Sequence, residues 1–277
     1  MNRMITLQDI SCMGKCSLTV ALPIISAMGS ECCVIPTAVL SSHTAFDGFT
    51  FHDLTDEIPP IAAHFKEMGA DFSAIYTGYL GSERQLEIVS DFIDQFGGGS
   101  CVFVDPVMGD FGRLYSGFDE SFAKRMVSLC RKADVIVPNL TEAAFLLGEP
   151  CRGRVSEAEG RDMLRRLCDL GAKNAVLTGI EPGGDLMGVM AYNAEKDEFF
   201  SHYAKKHPAT LHGTGDVFAS CAVGGICRGK SLWESLKLAV DFTSKCIEIT
   251  SENPDARWYG VDFEAAIPWL CEKLMLR

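Results

Sequence analysis

Apolar residues along this chain gather in short runs broken by glycine, proline and charged clusters. Residues 4–10 (MITLQDI) read as a strand, and residues 16–28 carry apolar positions at helical spacing up to a stop at Gly29. A second strand is expected at 32–40 (CCVIPTAVL), a helix at 58–69, and a strand within 72–81 (FSAIYTGYLG) that runs into a glycine loop. Ser82 is placed as an N-cap, with Gln85 three residues on as its capping-box partner. Further strands are expected at 101–106 (CVFVDP), 134–139 (DVIVPN) and 174–179 (NAVLTG), stopped by Pro106, Pro138 and Gly179. Strand and helix alternating in this way predict a parallel sheet covered on both faces. The pattern changes at 186–203, where two strand-like runs flank the polar turn NAEKD and read as a hairpin. Helices follow at 215–228, 232–250 and 263–276. No repeat, low-complexity segment or long linker divides the chain, so residues 1–277 are taken as one domain.

In doubly wound sheets, ligands bind beyond the carboxyl ends of the strands. The residues that follow the predicted strands are polar, whereas the strand interiors are nearly all apolar. They are Asp9 and Ser11, then SSHTAFDGF, TGYLGS, DPVMGD, PNLTEA, and finally Thr178 and Gly179. Asp105 and Asp110 of DPVMGD suit a hydrated Mg²⁺, a hard cation that takes oxygen ligands and keeps several waters. The same segment also reads as a Pro-Gly turn with two solvated acids. Asn139 and Glu142 of PNLTEA offer similar chemistry, and Asn139 reads equally well as the cap of a helix containing Glu142. In GTGD, Gly213, Thr214 and Gly215 bare backbone N–H groups at a helix start, where an anion would be held. Asp216 is then either a base for a substrate hydroxyl or an acid that complements the helix dipole.

Composition narrows the classes. A net charge of −12 and a pI near 4.9 argue against nucleic acid, whose phosphates need clustered Lys and Arg, and against an anionic membrane surface. Any phosphorylated ligand must be held by local N–H groups and a metal. The twelve cysteines form no C-x-x-C pair, so neither a zinc site nor a redox motif is read. The opening MNRMITLQDIS lacks the apolar core of a signal peptide, and no apolar run approaches the ~18 residues of a membrane span. A reduced, cytoplasmic protein with free thiols is expected.

Taken in order, SSHT, TGY, DPVMGD, PNLTEA and GTGD resemble the pyridoxal and pyridoxamine kinases of the ribokinase-like superfamily, over essentially the whole chain. The resemblance implies a three-layer α/β/α sandwich with a mostly parallel sheet and a small β-hairpin, usually a homodimer. It implies transfer of the γ-phosphate of ATP to the 5′-hydroxyl of pyridoxal, pyridoxamine or pyridoxine. Asp216 matches the catalytic base, and Gly213, Thr214 and Gly215 match the anion hole. Ser11, Thr44 and Tyr79 match positions lining the vitamin pocket. Asp105, Asn139, Glu142 and Thr178 match the ATP region, with Asp105, Asp110 and Glu142 on its Mg²⁺ side. A monovalent cation is a further expectation, although Val137 stands where some members have a threonine. Tyr115 falls near a position that approaches the phosphates, and the segment YAKKHPATLH, with Lys205 and Lys206, reads as a flap or as a solvated basic turn.

Lys15 in CMGKCS departs from the family pattern. His43 is read as a hydrogen-bonded structural histidine and Cys221 as a small core residue. Hydroxymethylpyrimidine (phosphate) kinases share the Asp-Pro-Val-Met and Pro-Asn-x-x-Glu segments and are the nearest alternative. A non-catalytic nucleotide or vitamer sensor is the alternative from another class.

Overall fold

The computed structural model describes residues 2–207 and 211–275. β1 (Arg3–Met13) leads through α1 (Leu18–Ala27) to β2 (Glu31–Ser42) and the short edge strand β3 (Phe51–Asp53). Then come α2 (Ile58–Glu67), β4 (Ala74–Thr77), α3 (Glu83–Phe96) and β5 (Cys101–Val104). A small hairpin, β6 (Gly109–Asp110) and β7 (Arg113–Leu114), precedes α4 (Glu120–Cys130), β8 (Val135–Ile136), α5 (Leu140–Leu147) and α6 (Glu157–Asp169). The chain continues with β9 (Asn174–Ile180), β10 (Leu186–Asn193), β11 (Glu198–Lys205), α7 (Thr214–Cys227), α8 (Leu232–Glu252) and α9 (Phe263–Met275).

Among the described residues, nine strands form one sheet in the order β11-β10-β9-β8-β5-β4-β1-β2-β3. The six strands from β9 to β2 pair in parallel, and antiparallel strands close both edges. Alternation sends successive side chains of each strand to opposite faces. Ile5, Leu7, Ile75, Val104 and Leu177 pack with α2 to α6, while Met4, Tyr76, Phe103 and Val176 pack with α1 and α7 to α9. This is the expected three-layer α/β/α sandwich, with β10 and β11 as its hairpin.

β1 connects to β2 on one side of itself and the chain then returns to β4 on the other. That reversal opens a crevice between the ends of β1 and β4, the place where such sheets bind ligands. The strand read at 134–139 shortens to Val135–Ile136. Pro138 has no N–H to continue the ladder, and Asn139 turns at once into α5 as its N-cap. The helix read from residue 16 begins at Leu18, because Ser17 takes φ 50°. Residues 208–210 of the expected flap lie outside the described residues.

Candidate active site

The site begins at α7. Gly213 caps the helix with φ 79°, a left-handed conformation that favours glycine, and a Cβ there would run into the Lys15 carbonyl oxygen. No side chain caps this end of the helix. Among the described residues its first N–H groups are without a side-chain acceptor, as an anion-binding helix start requires. Thr214 turns its hydroxyl back to the Leu211 carbonyl (3.3 Å).

Asp216 lies in the first turn, and burial pushes its carboxyl up to about 7. The Ser17 N–H opposes that rise, and the neighbouring charge of Asp9 adds to it. Asp9 is buried at the end of β1 and raised by desolvation, while the hydroxyls of Ser17 and Ser11 hold it down. Ser11 Oγ donates to Asp9 Oδ2 at 3.2 Å. Asp9 also raises the Tyr79 phenol, behind burial itself.

Across the cleft, Asp105 ends the parallel run of β5. It is buried, and among the described residues its carboxylate accepts no hydrogen bond. Desolvation holds it well above the usual carboxylate range, reinforced by Glu142 and Asp216. Glu142 sits in the first turn of α5 and is pushed up to about 8, chiefly by burial. Its Oε2 accepts from Asn139 N–H (2.9 Å) and its Oε1 from Met108 N–H (3.2 Å). Asn139 Oδ1 accepts in turn from Glu142 N–H (2.9 Å), completing a capping box. Asn139 Nδ2 donates to Gly109 O (2.9 Å), and Thr141 Oγ1 accepts from Gly112 N–H (2.9 Å). The start of α5 therefore clamps the β6–β7 hairpin in place.

The structure brings most of the sequence candidates to one end of the sheet. Ser11 lies near the end of β1, Thr44 and Tyr79 follow β2 and β4, and Tyr79 packs against Phe118 with ring centroids 5.5 Å apart. Thr178 bridges to Asn139 and donates its N–H to Pro138 O (3.0 Å). Asp110 is exposed on the hairpin, and its Oδ1 accepts from Phe111 N–H (2.8 Å). Desolvation raises it, and His212, beside Gly213, opposes the rise from across the gap. Desolvation lifts the Tyr115 phenol, and the charges of Glu142, Asp110, Asp105 and Asp216 add to the effect.

Asp105, Asp110 and Glu142 do not close into a ligand cage. Among the described residues, no three His, Cys, Asp or Glu side chains converge as a metal centre. Asp105 nonetheless fits a hydrated Mg²⁺, which needs only one or two carboxylates: it is a buried hard-oxygen donor without a partner. Two grooves lie elsewhere, one of about 550 Å³ between α2 and α3 and one of about 670 Å³ at the opposite end of the sheet beside Lys132 and Lys173. Neither is lined by the acids of the cleft.

Sequence reasoning named Asp9 only as a polar strand end, with no role in the site, and passed over His212. Asp9 shares a strand face with Ser11, two residues on, and that alternation was the available signal. His43 is hydrogen-bonded at both ring nitrogens. Ala45 N–H donates to its Nδ1 (3.2 Å), so Nε2 carries the proton to the Tyr259 carbonyl (3.0 Å). Cys221 is fully buried in the core.

Residues 22–258 match the model of the phosphomethylpyrimidine kinase family. A candidate phosphomethylpyrimidine kinase from Bacteroides thetaiotaomicron, crystallised with pyridoxal, is 42% identical, with a TM-score of 0.92 over 97% of this chain and 95% of that one. Pyridoxal kinase from Lactobacillus plantarum is 30% identical, with a TM-score of 0.89 over 99% and 98%. A pyridoxal kinase of Arabidopsis thaliana is 31% identical over 161 residues, 55% of this chain, and the match spans only half of that enzyme's length. No described helix is long and apolar enough to cross a membrane. The chain therefore belongs to the phosphomethylpyrimidine kinase family of the ribokinase-like superfamily, to whose pyridoxal kinases it is also similar.

Proposed function

We propose that this protein transfers the γ-phosphate of ATP to the 5′-hydroxyl of a B6 vitamer. The observation that carries this reading is Asp216: a carboxylate near neutrality, at an uncapped helix start, facing a switch-point crevice. ATP lies across the ends of β5, β8 and β9, near Asp105, Asn139 and Thr178. The vitamer lies by Ser11, Thr44 and Tyr79. Asp216 takes the proton of the 5′-hydroxyl, the oxygen attacks the γ-phosphorus in line, and ADP leaves. The N–H groups from Gly213 to Asp216 stabilise the equatorial oxygens as charge develops. Asp105 and Asp110 would hold Mg²⁺, which neutralises phosphate charge when bound. Glu142 serves the site by fixing the hairpin that carries Asp110.

On family resemblance we place the protein in the cytoplasm as a homodimer. A hydroxymethylpyrimidine kinase activity is the second reading, favoured by the family model and by the description of the Bacteroides relative. A substrate panel with Mg-ATP separates them: pyridoxal, pyridoxamine, pyridoxine, hydroxymethylpyrimidine and a few sugars. Highest kcat/KM with a B6 vitamer is the expected outcome, and preference for hydroxymethylpyrimidine overturns the first reading.

A further inference from the structure

Lys15 lies in the loop between β1 and α1, and its ammonium group is 2.6 Å from Asp262 Oδ1 and 3.0 Å from Glu264 Oε2. The Lys15 and Asp262 side chains are only 15% and 14% exposed. Asp262 is itself held: its Oδ2 accepts from Asn253 Nδ2 (2.7 Å), and its N–H donates to Thr250 Oγ1 (2.8 Å). The stem of Lys15 lies so close over Gly260 that a Cβ there would strike it. The Lys15 carbonyl, at the other end of the residue, abuts Gly213. One residue thus joins the start of α7 to the α8–α9 loop.

That loop carries Trp258 and Tyr259. Phe46 stacks near both, with ring centroids 4.6 and 5.3 Å away. His43 stands 6.1 Å from Trp258 and 5.2 Å from His212, the neighbour of Gly213. Trp258 is 59% exposed. The cluster borders Thr44 on one side and the anion-hole segment on the other. Exposed aromatic faces in that position suit a flat heterocyclic acceptor.

We propose that Lys15 is a positioning residue, whose pairing with Asp262 and Glu264 holds the Trp258–Tyr259 loop as an aromatic wall of the acceptor site and ties it to Gly213. The proposal rests on the reading above only in taking the acceptor to be an aromatic heterocycle. Lys15 touches no reacting atom. It acts through the loop, and breaking a largely buried pair releases that loop while leaving the acids without their partner.

The test uses Lys15→Met, Lys15→Arg and Trp258→Ala in the full chain, with the acceptor that the wild type prefers. Lys15→Met and Trp258→Ala should each raise acceptor KM about tenfold, the scale of one lost ring contact, while ATP KM stays within about twofold. Lys15→Arg should recover most of the loss. In the free protein, Lys15→Met should increase acrylamide quenching of tryptophan emission, and the increase should vanish when Trp258→Phe is added. An unchanged acceptor KM in Trp258→Ala, an exposed position that leaves the core intact, overturns the proposal. So does an equal rise in both KM values for Lys15→Met. If the wild type takes hydroxymethylpyrimidine instead of a vitamer, the functional reading fails, and the same KM measurements with that acceptor still decide the role of Lys15.

Discussion

Asp216 and Glu142 occupy the same place in two helices, the first turn of α7 and of α5. Burial lifts both, to about 7 and about 8. Their oxygens are engaged differently. Glu142 accepts from the N–H groups of Asn139, Met108 and Gly109, and its helix is closed by a full capping box. Asp216 accepts from the Ser17 N–H, and its helix has no side-chain cap. An acid at a helix start becomes a candidate base when lone pairs remain free towards a cleft. When backbone donors saturate it, the same residue type becomes a strut.

The sharpest way to break this contrast is to neutralise each acid. Asp216→Asn should lower kcat by about 10²–10⁴-fold, the usual weight of a general base. Glu142→Gln should keep turnover within about tenfold but lower stability by about 1–3 kcal/mol, since the amide retains one acceptor oxygen and sets its NH2 against the other buried N–H. Steady-state kinetics beside urea denaturation reads both, and equal collapse of kcat in the two variants would end the division of roles.

Next in size is the glycine pair of the anion hole. Gly213→Ala meets a left-handed backbone and the Lys15 carbonyl, and should lower stability by roughly 1–3 kcal/mol, with a parallel loss of kcat. Nothing lies within 4 Å of a Cβ built on Gly215. Gly215→Ala should therefore be neutral or stabilising by up to about 1 kcal/mol. Comparable destabilisation in both variants would show that the close approach to Lys15 does not set the position of Gly213.

The last test is in pH. An Asp216 base near 7 gives kcat/KM an acid limb with its midpoint near pH 7, and Asp216→Asn should flatten it. Stability runs the other way. The folded carboxyl is raised from 3.8 to about 7, so the unfolded chain loses this proton first. The native state is then progressively disfavoured as pH rises through that interval. Thermal melts should show no advantage for Asp216→Asn below pH 3.8, a growing one up to about pH 7, and a constant one above. An advantage already complete at the acid end would contradict the raised carboxyl.

Local chemistry was legible along the chain. Asn139 and Glu142, three apart before an apolar run, carry the capping-box spacing, and Ser82 caps α3 by accepting from Gln85 N–H. The expected box at Ser82 does not close, because the Gln85 side chain accepts from Gly81 N–H and donates to Thr37 O and Thr55 Oγ1. The six parallel strands stood out because each is largely apolar and ends in a polar or glycine segment. β3 and the β6–β7 hairpin escaped notice, because strands of two or three residues are too short to show a period. Lys15 was conspicuous in the sequence, but its partners lie 247 and 249 residues away, beyond any local pattern.

The sequence by itself determined the alternating layers, the strand ends where polar residues collect, and the helix starts at Gly213 and Asn139, because these depend on periodicity and on backbone donors a few residues apart. Only the tertiary structure decided how fully each acid is engaged. That choice rests on how many donors from distant segments converge on the carboxylate: Met108 and Gly109 do so on Glu142, and among the described residues only the Ser17 N–H does so on Asp216.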